Sequence, residues 1–230
     1  MLKWECLISD AIESDGKNLA EKDYDKMIFS QALRRMARKT QVHPLAINDH
    51  VHNRMSHSLE VSVVGRSIVY ALNDYKKLDK KIAADILMAA GLGHDFGNPP
   101  FGHIGEDAIS MWVRENRANL EKVNISDEII DTYTRFEGNP QNFHLFTSIE
   151  YFKKKPLSNS TIATMVKYPR VSCIENEKSG YFRYDEELFS KIFDSLGLKV
   201  NNKYVRHPLS YLLEAADDIC YAIMDIDDAF

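Results

Sequence analysis

Residues Asp79 to Glu106 read DKKIAADILMAAGLGHDFGNPPFGHIGE, and this stretch decides the kind of fold the rest must build. Its first half carries Ile82, Ile86, Leu87, Ala89, Ala90 and Leu92, apolar on more than one face. Such a pattern predicts a helix over 79–92 in the middle of a core. Gly97-Asn98-Pro99-Pro100-Phe101-Gly102 then breaks the chain sharply. A new helix is expected from about His103 to Glu115. Between the two stand His94 and Asp95, a nitrogen donor beside a hard oxygen donor.

Outward from this stretch the chain reads as helical throughout. Only 10 Gly and 7 Pro punctuate 230 residues, and strict alternation of apolar and polar residues is scarce. One helix is expected over 22–39, a loop over 43–53, and a helix from Ser56 to Asn73. The β-branched run Val61-Ser62-Val63-Val64 leaves a strand open there. Further helices are expected over 127–136 and 141–154, while 156–184 is the least regular part. Asp185 is the expected N-cap of a helix over 186–196 that Gly197 ends. Pro208 opens a last helix, Leu209 to Ala229. That helix has no stop signal and carries acids at its C-terminal end, against its dipole. The expectation is one all-α domain over 1–230, cut from something longer.

Composition removes several classes. With 44% hydrophobic residues, 27% charged and a net charge of −5, a disordered chain or a basic nucleic-acid surface is not the first reading. Cys6, Cys173 and Cys220 are far apart and form no CxxC, which argues against a disulfide framework and a cysteine zinc site. A reducing, cytoplasmic setting is expected. No apolar run approaches the roughly 18 residues of a membrane helix, and the N-terminus lacks a signal-peptide core.

Four constellations carry chemistry. His94-Asp95 suits a divalent transition metal at a helix end, though a His capping carbonyls beside a solvated Asp reads the same way. Arg54 and His57 are i and i+3, so a helix would set a metal donor beside a phosphate-binding guanidinium, or an ordinary exposed pair. His103 and Glu106 are also i and i+3 at a helix start, the arrangement that orients a general acid or base. There the alternative is a surface His and an acid that complements the dipole. Asp217, Tyr221 and Asp225 form one stripe at i, i+4 and i+8, either metal-bound and buried or a solvated acidic face.

The ordered blocks are Lys39-Thr40-Gln41-Val42, Asn53 to Val61, Gly93 to Glu106, Phe136-Glu137-Gly138-Asn139-Pro140-Gln141, and Glu214 to Tyr221. Together they resemble the deoxyguanosine triphosphate triphosphohydrolase family, within the HD superfamily of metal-dependent phosphohydrolases. The resemblance implies an all-α HD core of orthogonally packed helices. It implies hydrolysis of deoxynucleoside triphosphates to deoxynucleoside and tripolyphosphate. His57, His94, Asp95 and Asp217 match the metal ligands, for Mn, Mg, Fe, Ni or Zn. His103 and Glu106 match the catalytic pair. Arg54 matches a residue near the phosphates, Gln41 one near the 3′-hydroxyl, and Tyr221 and Asp225 residues lining the sugar. A homo-oligomer is implied too. Asn98 stands where many relatives carry a second His, and His144 where an Arg is frequent. Another HD phosphohydrolase is the runner-up. A nucleotide- or single-stranded-DNA-binding module follows from the basic stretch Arg34 to Lys39.

Overall fold

The structure, a computed structural model, describes residues 17–41, 52–72, 78–172 and 178–227, without the side chains of 225 and 227. In chain order it forms α1 (Leu19–Ile28), α2 (Gln31–Met36), α3 (Arg54–Ala71), α4 (Lys80–Gly93), α5 (Gly102–Glu115), α6 (Arg117–Lys122) and α7 (Asp127–Tyr133). There follow α8 (Gly138–Ser148), α9 (Glu150–Lys154), α10 (Asn159–Met165), α11 (Glu186–Ser195), β1 (Lys199–Val200), β2 (Lys203–Tyr204) and α12 (Pro208–Asp227). The described residues are all-α apart from one two-stranded antiparallel ribbon and isolated bridges.

α4 is the axis of the molecule. Asp79 starts it by accepting from the backbone N–H groups of Lys81 and Ile82. From Ile82 to Gly93 nearly every residue is buried. Helices α1, α3, α10 and α12 pack around it. α3 crosses α4 closely because the contact is made of small residues. A Cβ on Gly91 would lie 2.7 Å from the backbone N and Cα of Ser62. The Ser62 hydroxyl donates to the Met88 carbonyl at 2.9 Å. Tertiary packing thus overrides the β-branched run on α3, where Val61 is fully buried.

Several boundaries differ from the sequence reading, each for a local reason. The helix expected over 22–39 is two helices, because the Ser30 hydroxyl accepts from Leu33 N–H and starts a second one. The helix expected over 141–154 begins at Gly138 and breaks at Ile149, whose backbone is extended. Within 156–184 the Ser158 hydroxyl caps α10, which sequence periodicity missed at seven residues. The ribbon was missed because its strands are two residues long; Asn201 and Asn202 turn it, both at positive φ. Asp185 precedes α11 as expected, but its carboxylate does not cap: it accepts from His144 Nδ1 at 3.0 Å. Gly197, at φ +65°, does end α11, with Leu198 N–H donating to the Phe193 carbonyl. Cys220 is a buried free thiol. Cys6, Cys173, Val42 and the chain end at Phe230 lie outside the described residues.

Candidate metal centre and active site

Three helices bring the first donors together. The N-cap Asn53 starts α3 by accepting from Met55 and Ser56 N–H, which places His57 one turn in, fully buried. His94 lies just past the end of α4. Asp217 sits on the buried face of α12, between Leu213 and Cys220. One donor atom from each of His57, His94 and Asp217 lies within 4.8 Å of the others, and this group can hold a metal ion.

The hydrogen bonds fix what these donors offer. His94 Nδ1 faces the Gly91 carbonyl at 2.8 Å, so that nitrogen carries a proton and Nε2 is the atom turned towards the other donors. Nε2 is buried, makes no hydrogen bond, and lies 3.4 Å from Asp217 Oδ1. His57 Nε2 meets the same oxygen at 2.9 Å. Two imidazole nitrogens and a carboxylate oxygen converging in a buried place suit a cation of the first transition row. Burial works against the charged ring of His94, but the carboxylates of Asp95 and Asp217 outweigh it and the pKa rises. Burial works against the Asp217 carboxylate as well; His94, His57 and Lys167 outweigh it and hold that group far below the usual range.

Asp95 stands at the edge of the group, its Oδ1 3.6 Å from His94 Nε2. That oxygen also accepts from Asn98 Nδ2 at 2.8 Å, while Oδ2 accepts from Arg54. Arg54, read from sequence as a phosphate residue, is thus an ion-pair partner of Asp95. Burial opposes the charged form of Asp95, yet His94 and Arg54 keep its pKa low.

Around this group lie two polar pairs. Gln41 Nε2 donates to the Tyr221 hydroxyl at 2.6 Å, and the Tyr221 ring centroid is 4.8 Å from that of His57. His103 Nδ1 lies 2.7 Å from Glu106 Oε2. Glu106 Oε1 accepts from Gly138 N–H at 2.6 Å, and the His103 side chain is 83% exposed. The i and i+3 spacing of His103 and Glu106 is therefore realised in space, whereas Gln41 and Tyr221, 180 positions apart, are joined by the fold. The Asp225 side chain lies outside the described residues, and Asp218 faces outward. His144 is paired with Asp185.

Two lysines escaped the sequence reading. Lys167, just past α10, donates to Asp217 Oδ2 at 3.0 Å. Lys39, read only as part of a basic stretch, turns inward: its amine donates to the carbonyls of Asn98 at 2.6 Å and Phe96 at 3.3 Å. Burial and then Arg54 lower its pKa to about 8. No spacing rule could find Lys167, because α10 itself was not foreseen.

Comparison with known proteins agrees with this geometry. Residues 54–168 match the HD domain family. A deoxyguanosinetriphosphate triphosphohydrolase-like protein of Pseudomonas aeruginosa (strain LESB58) is 39% identical over 93% of this chain and 52% of its own length. A protein of the same description from Synechocystis sp. is 40% identical over 91% of this chain and 54% of its own. A deoxyguanosinetriphosphate triphosphohydrolase of Yersinia enterocolitica is 32% identical over 91% and 49%. The chain spans about half the length of the curated relatives it matches. Among the described residues no helix is long and apolar enough to cross a membrane. The matched span holds His57, His94 and Asp95, and the fold adds Asp217 from beyond it: the chain belongs to the HD domain family.

Proposed function

We propose that this chain hydrolyses deoxynucleoside triphosphates to deoxynucleoside and tripolyphosphate, with a divalent metal ion held by His57, His94, Asp95 and Asp217. The observation that carries the reading is the convergence of His57, His94 and Asp217 beside the Gln41–Tyr221 pair. The Yersinia enterocolitica relative is named a deoxyguanosinetriphosphate triphosphohydrolase and the Pseudomonas aeruginosa one a protein like it, which supports the reading. Bound there, a divalent ion would polarise a phosphate oxygen or a water.

The chain's own groups supply the rest. Arg54, buried, and Lys167, half-buried, are cations beside the acids, positioned to offset polyphosphate charge. Glu106 holds His103 by Nδ1, which leaves Nε2 to give a proton to the departing 5′ oxygen. Gln41 fixes the Tyr221 hydroxyl, so the phenol forms a rigid wall beside the metal donors. A wall of that kind admits a deoxyribose and rejects a 2′-hydroxyl.

The test is a panel of the four deoxynucleoside triphosphates with Mn, Mg, Fe, Ni and Zn, followed by identification of the phosphate product. Tripolyphosphate is the expected product. Orthophosphate or pyrophosphate would move the chain to another class of HD phosphohydrolase. Salt-sensitive binding of single-stranded DNA without hydrolysis would make it a binding module.

A further inference from the structure

We infer that Asn98 is a positioning residue: its amide sets the Asp95 carboxylate and, through Gly138, holds it in register with the His103–Glu106 pair. The inference rests on the metal-dependent reading of the site.

Asp95 has two carboxylate oxygens, and each is held. Arg54 takes Oδ2. Asn98 Nδ2 donates to Oδ1, the oxygen that faces His94 Nε2. Arg54 alone would leave the carboxylate free to swing about that one contact; the second donor fixes its plane. Outer hydrogen bonds of this kind set the direction and basicity of a metal ligand.

The other end of the amide is equally constrained. A carboxylate only accepts, so the Asn98 nitrogen must face Asp95 and its oxygen must point away. That oxygen lies against Gly138, where a Cβ would collide with it. The same Gly138 gives its N–H to Glu106 Oε1 at 2.6 Å. One backbone residue therefore touches both the amide that holds Asp95 and the carboxylate that holds His103. The Asn98 backbone is pinned as well: its carbonyl accepts from Lys39, and its N–H donates to the Asp95 carbonyl at 3.1 Å.

A carboxamide is neither an acid nor a base at neutral pH, so Asn98 does not serve as a general acid or base. Its nitrogen is committed to Asp95, so it is a group acting through a ligand.

The test uses the full chain and Mn2+ as the probe. Calorimetry measures Mn2+ affinity for the unaltered protein, Asn98→Ala and the near-isosteric Asn98→Leu, with thermal melting in EDTA alongside. The expected result is a 10- to 100-fold weaker affinity in both variants, with metal-free melting unchanged and kcat falling more than KM rises. Should Asn98→Ala not fold, Asn98→Leu keeps the volume and decides alone. Unaltered Mn2+ affinity in the folded variants would overturn the inference. So would a loss of affinity that merely tracks a fall in metal-free melting. Failure of the unaltered protein to bind Mn2+ would instead overturn the metal-dependent reading itself.

Discussion

His103 shows how a single side chain is prepared for work. Its ring stands in solvent, yet its orientation is set by Glu106, which is set in turn by the Gly138 N–H. His103→Ala is expected to lower kcat by about 10²- to 10⁴-fold while metal content, measured by atomic emission, stays unchanged. Normal turnover with metal bound would remove the assignment. Lys39 gives a prediction in pH. Its pKa is about 8 in the folded chain against 10.5 for an ordinary lysine. Below pH 8 both folded and unfolded chains hold the proton, and the buried charge weighs on folding in full. Between about 8 and 10.5 the folded chain has released a proton that the unfolded chain keeps, so stability rises across that window. Lys39→Met should remove this rise, measured as the pH dependence of urea unfolding.

At the scale of elements, the site depends on how closely α3 and α4 approach. His57 rides on α3 and His94 ends α4, so their separation is fixed by the crossing at Ser62 and Gly91. Gly91→Ala places a methyl 2.7 Å from the Ser62 backbone, and backbone cannot rotate aside. Overpacking of this sort costs about 1–3 kcal/mol. The expected outcome is a lower urea midpoint together with weakened metal binding, because the two imidazoles move apart. A destabilised variant with unchanged metal affinity would show that the crossing does not set their spacing. The α12 helix acts differently. It presents Asp217 and Tyr221 one turn apart, so its rotation sets both the candidate metal donor and the ring that packs on His57.

For the whole molecule, a metal ion held by the candidate donors would link its binding to folding. The donors come from three helices far apart in sequence, so the unfolded chain cannot assemble them. A ligand that binds only the folded chain stabilises it by about 2.7 kcal/mol at a hundredfold excess over its Kd. Adding Mn2+ should therefore raise the melting temperature, EDTA should reverse the rise, and Asp217→Asn should abolish it. A melting temperature indifferent to Mn2+ in the unaltered protein would contradict the linkage.

The helical class and the burial of the helix from Lys80 to Gly93 were legible in the chain alone, and so was a list of candidate site residues. Periodicity and local spacing are properties of neighbours along the chain. His103 and Glu106 met because i and i+3 share a helix face, and that needs no fold. Helix breaks at Ser30 and Ile149 were less legible, since a cap is decided by one side chain against a continuing apolar pattern. The convergence of His57, His94 and Asp217 and the turn of Arg54 to Asp95 came from three-dimensional packing. It alone brought Lys167 to Asp217 and Lys39 to the loop after Asp95. Those contacts join residues 37 to 160 positions apart, and they depend on helix rotation and crossing distance. Such quantities are fixed by packing of the core, and no local pattern records them.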